Sequence, residues 1–514
     1  MQPTTRHAAD RLYSPPLSSR IVAVLAVFLC VAACRSHQAA PTATPKPRLV
    51  VVYATCSLNK SYLSPYNPSV RYTPNLERFA RSGVVFDRYQ TEAAQSGTAF
   101  ASLFTGTQAM LHGVFTHPSK LPDHAFLMSE AFEQAGYQTW AWLRHPMASA
   151  DLNYAQGIEP RRAAHQGPQT KADGLRADDP EFANVLRRIK RNPRFRAYLE
   201  TNFTVTHGRY DIGHLDEFCD AHAEDCVTRG DREDFARWYQ LYYDNFRAFW
   251  LAFDDTVKKL GLSPRDVTRL AQVVELAYKS NVWFLDNLFG ALADRIQAEG
   301  LWPETLFVFT ADHGETLYRD GTLLKWGHGL QLNQDELSVP LIVRAPSLAS
   351  GRFGGVTRSI DVFPTVAGLA AVRIPDGETI GENLAKPLQG DQKPPRLIAF
   401  SHSSVASEGL KGWPIGQVFR PFDPTTSWVG ARDRDFFYML SSRNGIDFAP
   451  AAYDLAKDPG QTQNVYDPRD PAQRRMIEAL ESYKKILVDS YQHRSTDTLA
   501  DAERRRRLKS LGYL

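Results

Sequence analysis

Apolar and polar positions alternate along this chain between two periods. The run LVVVYAT at 49–55 is continuously apolar and β-rich, as a strand buried on both faces is. TPNLERFARSG at 73–83 follows with helical spacing, Pro74 in its first turn and Gly83 at its end. VVFDRY then predicts a second strand. Ser263, Pro264 and Asp266 form an N-terminal cap signature for a long amphipathic helix reaching about Glu299, which leads into the strand TLFVFTAD. Such alternation predicts an α/β fold with a doubly wound sheet. Residues 150–262 are charged and irregular and read as a helical insertion. One of its helices carries Tyr239, Tyr242, Tyr243, Phe246, Phe249, Trp250 and Phe253 at helical spacing. Core packing is the primary expectation for these rings, with a substrate-stacking wall as the alternative.

The N-terminus follows different rules. Arg6, Arg11 and Arg20 precede the apolar run IVAVLAVFLCVAAC, too short for a stable transmembrane helix and suited to a secretory signal. Val31, Ala32 and Ala33 before Cys34 resemble a bacterial lipobox, in which the cysteine is acylated. The expectation is a lipoprotein signal over 1–33, a tether over 34–47, and a protein anchored by lipid to the bacterial cell envelope, periplasmic or surface-exposed.

The chain has 514 residues, 43% of them hydrophobic, enough for a large core and more than one domain. Its 60 basic and 57 acidic residues leave a formal charge of +3. With neither a strong field nor a zinc-finger or RNA-recognition signature, nucleic acid is not an expected partner. Beyond Cys30 and Cys34, the cysteines are Cys56, Cys219 and Cys226. An oxidising compartment makes Cys219 to Cys226 a plausible short disulfide, two free thiols being the alternative. The tail at 491–514 is basic and reads as a solvated helix end or a contact for anionic membrane.

Candidate chemistry centres on Thr305 to Pro346, where a strand runs into Asp312 and His313 and a second histidine follows at His328. A carboxylate and an imidazole at the carboxyl end of a buried strand suit a divalent cation.

In order, TPNLERFARSGVVFDRY, SGTAFASLFTG, HGV, AGYQTW, FTADHGE, VPLIVRAP, DVFPTVAGLA and AAYDLAKDPGQTQN resemble the sulfatase family of the alkaline-phosphatase superfamily. The resemblance implies a large mixed, mostly parallel sheet flanked by helices over 48–375, and a smaller C-terminal antiparallel-sheet subdomain over 376–490. It puts Ser96 in the nucleophile's place, ten residues before Gly106. The family's formylglycine signature needs a proline two residues on and an arginine four residues on; Thr98 and Phe100 stand there, which puts formylglycine in doubt. The family's first-strand aspartate falls on Thr55 or Cys56, and no Asp or Glu occurs from Arg48 to Leu76.

The implied metal set is therefore Asp312 and His313, with Cys56 either a thiolate ligand or an inert buried thiol. Calcium is the ion by resemblance; zinc or manganese suits this ligand chemistry better. His328 and Lys325 fall where the family contacts the substrate anion or leaving group, His207 in THGRY near the ester oxygen, and Arg144 and His145 near the pair that grips the sulfate. The leading expectation is a sulfatase-family hydrolase acting on a small-molecule or polysaccharide sulfate ester by attack from Ser96. The alternatives are a phosphoester hydrolase or phosphotransferase with unmodified Ser96, and an inactive sulfatase-like binding protein.

Overall fold

The computed structural model describes residues 46–116, 119–163, 174–320, 325–329, 331–404, 425, 427–443 and 445–492. Cys34 and the basic tail beyond Gln492 lie outside them. Among the described residues the larger sheet has strands β1 (Leu49–Thr55), β2 (Val84–Gln90), β3 (Gln138–Leu143), β4 (Ala197–Phe203), β5 (Thr305–Ala311), β6 (Leu341–Arg344) and β7 (Gly351–Arg358), in the order β3-β4-β1-β5-β6-β2-β7. Only β6 runs antiparallel to its neighbours, so the sheet is mixed and mostly parallel, as the family resemblance implies.

β1 sits between β4 and β5, and every one of its residues is buried, which is why its sequence is an unbroken apolar run. Tyr53 packs on Phe203 and Phe289 at 5.1 and 5.7 Å between ring centroids, joining three elements around the strand. Helix α1 (Pro74–Ala80) and helix α2 (Ser96–Thr105) follow β1 and β2 respectively. α2 stops at Gly106, whose φ of 64° is left-handed and suits a residue without Cβ. Further along, past several shorter helices, lie helix α3 (Arg232–Leu251) and helix α4 (Pro264–Ala298). α4 begins with the expected capping box between Ser263 and Asp266. Its buried Asp286 accepts the amides of Leu76 and Asn75, at 2.7 and 3.0 Å, and so satisfies the free N-terminus of α1.

The reading of 150–262 as a helical insertion requires a correction. The segment contains β4, an interior strand beside β1. AYLETNF hides this in sequence because Glu200, Thr201 and Asn202 interrupt its apolar pattern. All three are buried, and each has a partner inside: Glu200 takes the hydroxyl of Tyr198 at 2.8 Å.

A second sheet is wholly antiparallel, with β8 (Ala399–Ser404), β9 (Ser427–Asp433), β10 (Phe436–Arg443), β11 (Ile446–Asp447) and β12 (Ala451–Asp454). Helix α5 (Pro471–Gln492) covers it through Ile477, Leu480 and Leu487. The sheets meet where the His402 amide donates to the Glu92 carbonyl at 2.9 Å.

Candidate functional site

The site lies at the carboxyl ends of β1 and β5. Thr55 pairs level with both Phe203 and Ala311, so Cys56 and Ser57 leave the sheet beside Asp312 and His313. Oδ1 of Asp312 accepts the amides of Ser57 at 3.1 Å and of His313 at 2.6 Å, which fixes the carboxylate. Ser57 turns with φ 57°, a left-handed conformation that brings its amide to this task.

Ser96 opens α2, and its Oγ is 2.9 Å from Nε2 of His313. Nδ1 of His313 lies 2.8 Å from the Gly314 carbonyl, which can only accept, so Nδ1 carries the proton and Nε2 presents a lone pair. The Ser96 hydroxyl therefore donates to His313. Burial, partly opposed by the Asp312 carboxylate, lowers His313 to about 4, leaving the imidazole neutral at pH 7.

Cys56 is buried within the same cluster, its Sγ 3.5 Å from Ser96 Oγ, 3.9 Å from His313 Nε2 and 3.3 Å from His145 Nε2. Burial first, then the Asp312 charge, raises its thiol well above the ordinary range. His145 accepts the Met147 amide on Nδ1 at 3.1 Å, so its Nε2 carries the proton and faces the sulfur. Asn202, at the end of β4, accepts the His145 amide at 2.9 Å. Phe100, in place of the family's arginine, packs 5.3 Å from the His145 ring.

His328 borders this cluster, its ring centroid 4.2 Å from that of His313 and 5.0 Å from that of His207. Nδ1 of His328 lies 3.1 Å from Oε1 of the buried Glu315, and its Nε2 is buried with no hydrogen-bond partner. Burial lowers His328 to about 4. His207 is buried, with Nδ1 against the Gly208 carbonyl. Trp250 of α3 donates to the His328 carbonyl at 3.1 Å and lays its ring 5.3 Å from the imidazole.

The structure thus brings Ser96, Cys56, Asp312, His313, His145, His328 and His207 together. Lys325 does not join them: its Nζ is 2.6 Å from Asp320 and 4.0 Å from Asp254, both well exposed. Arg144 continues the β3 ladder through its amide, which donates to the Asn202 carbonyl at 2.9 Å, and its side chain is half-buried. Cys219 and Cys226 form the expected disulfide. Of the aromatic helix, Tyr242, Phe246, Phe249 and Trp250 are buried, while Tyr243 is exposed. Sequence reasoning missed Glu315 and Asn202, which hold His328 and His145. Glu315 stood in plain view in the FTADHGE segment, two residues past His313.

Cys56, Asp312 and His313 offer a sulfur, an oxygen and a nitrogen, all within 4.8 Å of one another. Oδ2 of Asp312 is buried without a hydrogen-bond partner and lies 3.5 Å from His313 Nε2. An orphaned carboxylate oxygen beside an imidazole lone pair fits a divalent cation, and a thiol in the set suits a borderline ion.

The family model described as Sulfatase matches residues 48–372. Human arylsulfatase A is 25% identical over 485 residues, covering 86% of this chain and 87% of its own. N-acetylglucosamine-6-O-sulfatase of Bacteroides thetaiotaomicron is 21% identical and covers 93% of each chain. Among solved structures, a protein in complex with its substrate D-glucosamine-2-N,6-O-disulfate superposes with TM-score 0.62 at 19% identity, covering 87% of this chain and 99% of that one. Phosphonate monoester hydrolase of Agrobacterium radiobacter superposes with TM-score 0.60 at 20% identity, covering 87% and 96%. With the mixed sheet, the rim cluster and a family match over most of its length, the chain belongs to the sulfatase family.

Proposed function

We propose that this protein is a metal-assisted hydrolase of sulfate esters that works outside the cytoplasm with Ser96 as nucleophile. The observation that carries the reading is the 2.9 Å contact of Ser96 Oγ with a His313 nitrogen that can only accept. That contact turns the hydroxyl proton toward the imidazole and leaves the oxygen lone pairs for attack. Attack forms an Oγ–S bond and breaks the S–O bond to the departing alcohol; water then attacks the same sulfur, breaking the Oγ–S bond to release sulfate and restore Ser96. The serine proton passes to His313 Nε2 or, where a cation holds that lone pair, to His328 Nε2, and from there to the departing alkoxide. His328 is neutral at pH 7 and carries its proton on Nδ1 toward Glu315, so it accepts before it can donate.

A divalent cation held by Cys56, Asp312 and His313 would neutralise the ester's non-bridging oxygens and favour the ionised hydroxyl. The sulfur ligand argues for zinc over calcium. His145 steadies Cys56, and the two amides on Asp312 Oδ1 leave Oδ2 for the ion. The Cys219 to Cys226 disulfide and the signal-like run ending at Cys34 support a place in the cell envelope.

Turnover of a sulfated aryl ester that falls at least ~10³-fold in Ser96→Ala is expected; turnover unchanged by that substitution would overturn the assignment. Phe100, which leaves Ser96 without the signature for formylglycine, favours a second reading as a phosphoester hydrolase. The phosphonate monoester hydrolase fold neighbour supports it as well. Faster turnover of a phosphorylated than of a sulfated aryl ester would decide for that reading.

A further inference from the structure

We propose that Arg247, reinforced by Arg209, forms an anion subsite beside the catalytic rim, so that the preferred ester carries a second negative group such as a sulfate or carboxylate. The proposal rests on the reading of the Ser96 site as a sulfate-ester hydrolase and adds the class of its substrate.

Arg247 lies on α3 and is only 9% exposed. Its Nε and Nη1 are buried and have no hydrogen-bond partner, and no carboxylate among the described residues forms an ion pair with it. Asp244, the acid one turn earlier on α3, is turned instead to Gln240 at 2.8 Å. The nearby charge is of the same sign: burial first, and the Arg209 charge second, lower Arg247 below its ordinary value. The Arg209 guanidinium lies 4.7 Å over the Tyr243 ring and 5.8 Å over that of Phe246, the residue before Arg247.

A buried guanidinium whose Nε and Nη1 lack partners, with a second positive charge nearby, is unfavourable until an anion joins it. The planar fork of Arg247 suits the oxygens of a sulfate or carboxylate. The place is adjacent to the chemistry. Arg209 follows His207 by two residues, and Arg247 precedes by three, on the same helix face, the Trp250 that bonds the His328 carbonyl at 3.1 Å. An anion here therefore belongs to a molecule whose ester sits at Ser96.

The test measures binding rather than turnover, in a Ser96→Ala background, by calorimetry with a monosaccharide carrying two sulfate groups and with one carrying a single sulfate. The expected result is a preference of about tenfold or more for the doubly sulfated sugar. Adding Arg247→Gln should abolish that preference and Arg247→Lys should retain part of it. Thermal melts report folding, and removing an unpaired buried charge should not lower the midpoint. An equal preference with and without Arg247 overturns the subsite, as does no preference in the parent, the result expected if an acid of this chain fills it. Wild-type protein that binds the doubly sulfated sugar in this way yet hydrolyses no sulfate ester would overturn the hydrolase reading and leave the subsite standing.

Discussion

Oε1 of Glu315 lies 3.1 Å from Nδ1 of His328, and both side chains are buried. The carboxylate takes the Nδ1 proton, so that Nε2 is the atom turned to the site.

Replacing Glu315 with Gln should therefore act through His328. An amide can offer its N–H to Nδ1 and reverse the tautomer, putting the proton on Nε2. The expected cost is about 10- to 100-fold in kcat with a small change in KM, as for other groups that orient a working histidine. Steady-state kinetics on an aryl sulfate checks it. A KM effect with kcat intact would mean that Glu315 shapes the pocket and does not hold the imidazole.

On the proposed function, Cys56 sets the choice of ion. Removal of divalent cations should abolish hydrolysis, and elemental analysis of the active protein should find zinc. Cys56→Asp replaces the sulfur with a hard oxygen donor and should move the ion that restores activity from zinc towards calcium or manganese. Identical metal content and ion preference in the two proteins would remove Cys56 from the ligand set.

Glu92 predicts how stability depends on pH. It is buried where the two sheets meet, with Oε1 lacking a partner. Burial, opposed by Arg358 and by a hydrogen bond from Gln108, raises its carboxyl to about 8. A carboxyl raised in the folded state binds its proton more tightly there than in the unfolded chain. Its contribution to stability is full below about 4.5, the ordinary value, and is lost as pH climbs through about 8. Glu92→Gln holds the group neutral, so the melting temperature should fall less steeply between pH 5 and pH 9 than in the parent. The difference at the upper end should be on the order of a few kcal/mol. Parallel curves for the two proteins would refute it.

The sequence states plainly those parts of the molecule governed by local pattern. LVVVYAT and TLFVFTA are apolar throughout because β1 and β5 are covered on both faces, and the Ser263 to Asp266 cap fixed the start of α4. Asp312 and His313 were legible through their place after β5, and Ser96 through the family resemblance that sets it ten residues before Gly106. β4 was not, because the polar residues it buries are satisfied by groups that only folding supplies, such as Tyr198 for Glu200. Lys325 falls near His328 in the chain, yet its charge is answered by Asp320, a pairing that spacing alone does not reveal. Arg247 sits among the aromatic residues of α3, and that its buried Nε and Nη1 lack partners shows only in the folded chain.

The level ending of β1 against β4 and β5 has a consequence for how such a protein changes over time. The positions just past Thr55, Phe203 and Ala311 behave as sockets in a rigid frame, since three paired strands hold their spacing whatever side chain each socket carries. An aspartate can be traded for Cys56 in one socket without disturbing its neighbours in the other two. Divergence in ion and substrate can then proceed by single exchanges at the rim while the scaffold underneath stays as it is.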